Sequence, residues 1–312
     1  MKVLGPLLGN LALVGTVISV PSTLAFSSTA VSSSPSLQSL LATHRDGISR
    51  LKEIARSMSD DEAVAPADDV FYLRYVLSDY GDEDEREAAL RSSVGWRKGE
   101  GNAIVTSARR AVAAATAGGR WDNGPVRSAA PHSELISEYL QSRQCITTSL
   151  PSTKDLVYCI RAGKIDDVGL MSAVTVDQMI DFFLYSREVN SAAADMRSLQ
   201  TDSLIKLVTC NDLAGVKLIG GSSDFRNSLS SASKKAAALY PSLNGRTLML
   251  NPPTLLGALV KVFTPLFPKS VRDKLRFVSG PLRDVEDLRE IVEGGSGRDE
   301  FVDQVQALAY GD

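Results

Sequence analysis

The stretch from Tyr240 to Gly280, YPSLNGRTLMLNPPTLLGALVKVFTPLFPKSVRDKLRFVSG, decides the fold. The Asn244-Gly245 pair is a turn signal, and the apolar run Arg246–Leu250 behind it predicts a short buried strand. Asn251-Pro252-Pro253 ends that strand, because proline cannot donate to a sheet and restricts the residue before it.

The segment Thr254–Phe263 predicts a helix that is apolar on nearly every side, with Lys261 as its only charge. Such a helix must be covered all round or contact an apolar partner. Pro265-Leu266-Phe267-Pro268 ends the helix, a basic segment follows, and Leu275–Val278 predicts a further strand.

This order of elements resembles the lipid-binding domain of the CRAL-TRIO family. Three other stretches occur in the matching order. Ala67–Glu100, with Phe71–Tyr75 and Val94–Lys98, is similar to the small helical domain that precedes the lipid fold; Leu156–Asp166, ending Gly163-Lys164-Ile165-Asp166, is similar to its first strand; and Asp212-Leu213-Ala214-Gly215 is similar to the end of a central strand.

The resemblance implies an α/β fold in which a mostly parallel sheet flanked by helices holds an apolar lipid cavity, preceded by a small all-α domain. In the family the Asn-Pro helix is a mobile gate over the cavity. An apolar gate that swings out could bury its large side chains in a bilayer, each contributing on the order of 1.5–3 kcal/mol. The gate residues expected here are Leu255, Leu256, Leu259, Val260, Val262, Phe263 and Phe267.

The same resemblance indicates which polar residues would contact the lipid. Arg246 stands where phosphatidylinositol-transfer members carry the lysine that holds the inositol phosphate, and arginine is a good bidentate phosphate ligand. A surface role at a strand start is the other interpretation of Arg246. Lys234-Lys235 resemble a basic pair near a phosphoinositide patch, or are an exposed charge pair, and Asp212 fixes the strand-end turn or supports the ligand. Membrane-facing positive charge is expected from Lys261, Lys269, Arg272 and Lys274.

Composition excludes several other classes of function. The chain has 312 residues and a net charge of −3, which gives no reason to expect nucleic acid as a partner. Its three cysteines, Cys145, Cys159 and Cys210, form no disulfide or zinc pattern, and only two histidines are present. Gly163-Lys164 lacks the other residues of a phosphate-binding loop, and no nucleophile motif occurs. We therefore expect no catalysis, no metal and no cofactor other than a bound lipid.

The N-terminus has the pattern of a targeting sequence. Residues 1–25 combine Lys2, an apolar run and a small-residue exit, which is typical of a signal peptide, with an uncleaved anchor as the alternative. Residues 26–45 are serine-rich and contain no acidic residue, as in a transit peptide. The Ala25-Phe26 junction resembles that of the bipartite plastid presequences of algae with secondary plastids. A plastid location is expected, and secretion with a flexible serine linker is the alternative.

The remaining chain divides into two predicted domains and a linker. Helical periodicity indicates a helical domain over residues 46–117, and the Gly- and Pro-containing residues 118–131 are the linker. From residue 132 to 312 strands and helices alternate, with strands at Leu156–Arg161, Leu204–Cys210, Thr247–Leu250 and Leu275–Val278, which predicts a mostly parallel sheet.

These observations predict a monomeric, non-enzymatic protein that binds one hydrophobic ligand and exchanges it at a membrane surface. The ligand is left open between a phosphoinositide or phosphatidylcholine and an isoprenoid such as tocopherol. The alternative function is a protein-interaction scaffold with a vestigial lipid cavity.

Overall fold

The computed structural model describes residues 35–119, 121–140, 147–216, 221–253, 274–280 and 297–311. Within these ranges the chain is a mixed α/β protein with eleven α-helices and one five-stranded sheet. The helices are α1 (Leu37–Thr43), α2 (Arg45–Met58), α3 (Asp69–Val76), α4 (Glu83–Lys98), α5 (Asn102–Thr116), α6 (Asn123–Ser128), α7 (Ser133–Leu140), α8 (Asp167–Ala173), α9 (Val176–Thr201), α10 (Ser223–Leu239) and α11 (Arg298–Tyr310). The strands are β1 (Thr147–Ser149), β2 (Leu156–Arg161), β3 (Leu207–Asp212), β4 (Asn244–Leu250) and β5 (Leu275–Val278).

The sheet has its strands in sequence order, β1-β2-β3-β4-β5. Strands β2 to β5 are parallel, and β1 pairs antiparallel with β2. The alternation of strands and helices therefore predicted the parallel sheet correctly. It did not predict β1, because three residues are too few to show a hydrophobic period.

The two faces of the sheet differ in chemistry. One face, here called the apolar face, consists of Val157, Cys159, Val208, Cys210, Leu248 and Leu250. Helix α11 covers it with Phe301, Val302 and Val305. At the amino ends of the strands, Leu156 and Leu207 on the opposite face contact Leu184 of α9 and Leu239 of α10. Burial of apolar area on both sides fixes the sheet between two helical layers.

The amino-terminal helices form their own apolar cluster and are joined to the α/β part by buried polar contacts. Phe71, Tyr72 and Leu73 of α3 lie in this cluster with residues of α1, α2 and α4. Arg74, 2% exposed, donates from Nε to Asp195 Oδ1 at 2.6 Å and from Nη2 to the carbonyl of Ile205 at 2.9 Å. Since a buried guanidinium must have its donors satisfied, these bonds fix α3 against α9 and the start of β3.

Strand β4 begins two residues earlier than the sequence pattern predicted. The Asn244-Gly245 pair is part of the strand, and the expectation of a turn there was wrong. Leu207 of β3 pairs with Asn244 and Thr209 with Thr247, so an extra residue of β4 bulges between them. A Cβ on Gly245 would lie 3.0 Å from Lys206 Cβ, and a glycine is therefore favoured at this bulge.

Two segments predicted to be irregular contain helices. The linker interval 118–131 includes α6, which begins after an Asp122 cap that accepts from the Gly124 amide. The serine-rich interval 26–45 includes α1, which is capped by Ser36 and buries Leu37. Asp202 binds this helix start, because its carbonyl and side chain accept from Leu37 N and Gln38 N, each at 2.9 Å. Short helices of this kind have too few apolar positions to reveal a period in the sequence.

No single helix in the described ranges is long and apolar enough to cross a membrane. Helices α8 and α9 together meet the length and composition criteria, but they are bent by 112° at the break between them.

Candidate functional site

Polar side chains lie in a row on the sheet face opposite α11. This polar face consists of Tyr158 of β2, Thr209 and Asn211 of β3, and Thr247 of β4. Register places Tyr158 opposite Thr209 and Thr209 opposite Thr247, so these three side chains point to the same side of the sheet. On the apolar face the alternate positions are aliphatic or cysteine until the strand ends, where Arg161 and Asp212 lie beside each other.

Asn211 is the most deeply placed amide of the polar face. It is 6% exposed, and its Nδ2 donates only to the thioether of Met249, at 3.5 Å. Within the described part of the chain its side-chain carbonyl accepts no hydrogen bond. A thioether is a weak acceptor, so the Asn211 amide retains capacity for stronger hydrogen bonds. Asn211 is therefore suited to pair with a polar group of a ligand.

Arg187 of α9 extends toward the amino half of the same face. Its Nη1 donates to Asn244 Oδ1 at 3.1 Å, and the two phenols of Tyr158 and Tyr240 are its electrostatic neighbours. No carboxylate of the described residues forms an ion pair with it. Burial lowers the pKa of Arg187 from its usual value, since the guanidinium loses water and gains no full counter-charge.

Toward the carboxyl ends of the strands, apolar residues lie beside Asn211 on the polar face. Leu213, Met249 and Leu275 form a small buried cluster there, with Phe277 packed against them at the surface of β5. The face thus mixes both kinds of side chain: Leu156 and Leu207 lie at the amino ends of the strands, and Asn211 pairs with Met249 toward the carboxyl ends. Such a mixture matches an amphiphilic molecule better than a purely polar or purely apolar one.

Asp212 and Asn251, from two separate family-like motifs, meet at the carboxyl ends of β3 and β4. Asp212, 2% exposed, accepts from Ala214 N at 3.1 Å and from Asn251 Nδ2 at 2.9 Å, and its other oxygen lies 3.4 Å from Arg161 Nε. Asn251 Oδ1 in turn accepts from Gly280 N at 3.0 Å. Asp212 therefore fixes the strand-end turn, which was the first of the two interpretations given to it.

Asn251 has a left-handed backbone, with φ of 49°, a conformation that asparagine tolerates better than most residues. Its side chain and backbone together join the last residue of β3, the end of β4 and the end of β5. Gly163, from the third family-like motif, lies against the same edge, where an added Cβ would be 2.0 Å from the carbonyl oxygen of Ala214. Only glycine fits at such a close approach of two loops.

Arg246 lies on the other side of the sheet, at the amino end of β4. Its guanidinium carbon is 5.9 Å from the centre of the Tyr310 ring of α11. The Tyr310 hydroxyl donates to Asp155, which also accepts from the backbone of Lys206 at 2.7 Å. Lys274, half-buried at the start of β5, has Asp79 and Arg246 as electrostatic neighbours. Arg246 therefore belongs to a basic cluster with Lys206 and Lys274 at the amino edge of the sheet.

Lys206 has the most strongly perturbed ammonium of the described residues. Burial lowers its pKa to about 7, and the positive charges of Arg74 and Lys274 contribute to the decrease. Asp155 and Asp79 act in the opposite direction but do not compensate. Its Nζ donates to the carbonyl of Ser242 at 2.6 Å. An anion bound at this edge would favour the protonated lysine.

The other predicted headgroup residues are distributed differently. Lys234 and Lys235 are exposed on α10, and Lys235 forms an ion pair with Glu100 at 2.6 Å. Because α10 covers the polar side of the sheet and Arg246 contacts α11 on the other, the structure does not bring this pair into the Arg246 cluster. The gate residues Leu255, Leu256, Leu259, Val260, Val262, Phe263 and Phe267, and the basic residues Lys261, Lys269 and Arg272, lie outside the described residues.

Sequence reasoning missed the polar face and Arg187. Thr209 and Asn211 are alternate polar residues in the run LVTCND, and this period of two was the available signal. Arg187 carried no such signal, because one arginine in a 26-residue helix is ordinary until its neighbours are known. No group of three or more histidine, cysteine or acidic side chains in the described ranges is arranged to hold a metal.

Comparisons with known proteins give limited information. No family model matches the sequence, and no curated protein matches it. Among 27 solved chains that match is the crystal structure of Sfh5, which is 16% identical to this chain, with a TM-score of 0.46 over 81% of this chain and 84% of that one. A likeness this distant carries no information about ligand or mechanism.

Proposed function

We propose that this protein binds one amphiphilic lipid and exchanges it between membranes without catalysing a reaction. The observation that carries the proposal is the difference between the two sheet faces. A sheet that served only as a scaffold would be expected to bury apolar side chains on both sides, because each buried polar group without a full set of hydrogen bonds costs about 1–3 kcal/mol. The polar face, with Asn211 almost unpaired at 6% exposure, has a physical reason to exist if a ligand contacts it.

The resemblance of the sequence to CRAL-TRIO domains supports the class of ligand. The motifs that carry it, Asp212-Leu213-Ala214-Gly215 and Asn251-Pro252-Pro253, meet in one hydrogen-bonded group at the carboxyl ends of the strands. In open α/β sheets ligands bind at this edge. The segment between Asn251 and Lys274 therefore starts and ends at sites that the sheet holds firmly, as a hinged cover would require.

The first experiment is to purify the full-length chain and identify copurifying lipid by mass spectrometry. One amphiphilic lipid per chain is the expected result. No bound lipid, and none taken up from liposomes, would contradict the proposal and favour the protein-interaction scaffold.

The gate has its own test. Leu256→Asp with Phe263→Asp should reduce lipid transfer between liposomes by at least tenfold, because charged side chains cannot enter the bilayer at low cost. Leu135→Asp, at a leucine of α7 that is 47% exposed, is the matched control and should leave transfer unchanged. If the wild type, the double variant and Leu135→Asp transfer lipid equally well, the gate hypothesis is wrong.

We also propose that the basic cluster of Arg246, Lys206 and Lys274 contacts phosphate at the amino edge of the sheet. In Arg246→Ala a copurifying phosphoinositide should be lost, whereas a copurifying isoprenoid should be retained. Lys234 and Lys235 are proposed as a separate exposed contact for an anionic surface, and Lys235→Ala should then weaken binding to anionic liposomes only.

Plastid import remains a proposal that rests on residues 1–45 of the sequence. A fluorescent reporter fused to these residues should enter the plastid of an alga with secondary plastids. Replacing Phe26 by Ala should divert it to the secretory route, and an unchanged destination would contradict the junction assignment.

A further inference from the structure

We propose that Arg187 selects an anionic amphiphile, by pairing with the carboxylate or phosphate of a ligand held against the polar face. This inference rests on the proposed function and specifies its ligand. It starts from the contacts of Arg187, which donates to the neutral Asn244 amide at 3.1 Å and forms no ion pair with a carboxylate of the described residues.

The three arginines that are deeply buried in the described ranges are all paired with acids. Arg74 has Asp195 at 2.6 Å, and Arg97 has Glu188 at 2.6 and 3.0 Å. Arg161 is 3.4 Å from Asp212. Arg187 is half-buried and, unlike these three, has no acidic partner among the described residues, so it is available to pair with an anion from outside the chain.

The direction in which Arg187 points decides where that counter-charge would lie. Asn244 pairs with Leu207 on the polar side of the sheet, and the other electrostatic neighbours of Arg187 are Tyr158, on the polar face, and Tyr240. Burial also lowers the pKa of Arg187, which an anionic ligand would reverse. The charged group of the ligand would thus lie at the amino half of the polar face and its chain toward Met249 and Phe277.

This site is distinct from the basic cluster around Arg246. Arg246 belongs to the side of the sheet that α11 covers, whereas Arg187 lies on the side of α9 and α10. A single negative charge inside the protein is sufficient for Arg187, so a fatty acid and a phospholipid phosphate are both candidate sources.

The test compares charged and neutral members of two ligand pairs with the full-length chain: oleate with methyl oleate, and phosphatidic acid with diacylglycerol. A charge-assisted hydrogen bond predicts that the charged member of the correct pair binds about 10- to 100-fold more tightly. Arg187→Gln should reduce this preference to about onefold, and Arg187→Lys should retain part of it. The pair that shows the preference identifies carboxylate or phosphate as the partner.

A second measurement separates a ligand-binding arginine from a structural one. If Arg187 binds a ligand, Arg187→Gln should raise or preserve the melting temperature of the lipid-free protein, because a half-buried charge without an acidic partner is removed. Arg110→Gln, at an exposed residue of α5, is the matched control and should change neither property. A lower melting temperature for Arg187→Gln with an unchanged ligand preference would overturn the inference. Equal binding of charged and neutral members by the wild type would also overturn it, while leaving lipid binding itself intact.

Discussion

At the scale of single residues, buried charge is the feature that separates structural from functional positions. Arg97 and Glu188 are 0% and 1% exposed, and they form a two-bond pair between α4 and α9. The Arg97 guanidinium also lies 5.0 Å from the ring centre of Phe71 and 5.7 Å from that of Tyr240. This arginine is paired and stacked, so its role is to hold two helices together.

Removing one partner of this pair should be far more damaging than removing both. Arg97→Met alone should lower the free energy of unfolding by about 3–5 kcal/mol, because Glu188 is left buried with too little compensation. Arg97→Met with Glu188→Leu should recover most of the loss. Urea unfolding measures both, and Arg91→Met, which breaks an exposed pair with Glu87, should have a much smaller effect than Arg97→Met. A double variant as unstable as the single one would contradict this account.

Lys206 should make the free energy of unfolding depend on pH. Burial, with Arg74 and Lys274, lowers its pKa to about 7 in the folded protein, against 10.5 for an ordinary lysine. Between these values the unfolded chain binds the extra proton, so stability should rise as pH increases from 7 toward about 10. In Lys206→Met this rise should be smaller, as measured by urea unfolding at several pH values. An identical slope in both proteins would show that Lys206 does not titrate in this range.

At the scale of elements, helix α11 and the apolar face depend on one another. Phe301 is 3% exposed and packs in a cluster with the alternate residues of β2 to β4. The sequence does not show that these two elements pack together, because a periodic pattern shows which side of a helix is apolar and not what covers it.

Phe301→Ala should lower the free energy of unfolding by about 3–5 kcal/mol, the usual cost of a large aromatic cavity. Phe277→Ala, at a half-buried residue on the opposite side, should cost less and should instead weaken lipid binding. Chemical denaturation and lipid titration of the two variants form a matched pair. If Phe301→Ala loses lipid binding at temperatures where it remains folded, the ligand lies on the apolar face and the proposed site on the polar face is wrong.

Some helices and strands could be predicted from the sequence, and others could not. The strands Leu156–Arg161 and Leu275–Val278 were predicted at their observed bounds, since each is a compact apolar run between turn signals. The Asn244-Gly245 pair was interpreted as a turn because glycine gives the same signal in a turn and in a bulge. Only its close approach to Lys206 Cβ and the Leu207 carbonyl in the structure distinguishes the two. The group formed by Asp212, Asn251 and Gly280 was beyond prediction for a related reason, as it joins three strands that are far apart in the chain.

At the scale of the whole molecule, the amino-terminal helices and the α/β part are joined through buried contacts. Besides the bonds of Arg74, the Tyr75 hydroxyl donates to the carbonyl of Leu239 at 3.1 Å. Trp96 and Val105 share an apolar cluster with Leu207 and Leu243. The two predicted domains therefore have a common core in the described residues.

Such a core predicts a single cooperative unfolding transition. Far-ultraviolet circular dichroism, which reports all helices, and tryptophan fluorescence, dominated by Trp96 and Trp121, should give the same midpoint in urea. Arg74→Met should separate the two curves or lower both midpoints, because it removes the bonds between α3 and the sheet. Two well-separated transitions in the wild type would show that the helices fold on their own.

The unequal faces of the sheet have a consequence for how this chain tolerates change. In saturation mutagenesis along β2 and β3, the effect of substitution on the amount of folded protein should alternate with a period of two residues. At Val157, Cys159, Val208 and Cys210 most substitutions should reduce the amount of folded protein. At Tyr158, Thr209 and Asn211 conservative polar substitutions should reduce abundance less and alter which lipids are carried. Substitutions on the polar face could then change the lipid preference, while the residues of the apolar face preserve the fold.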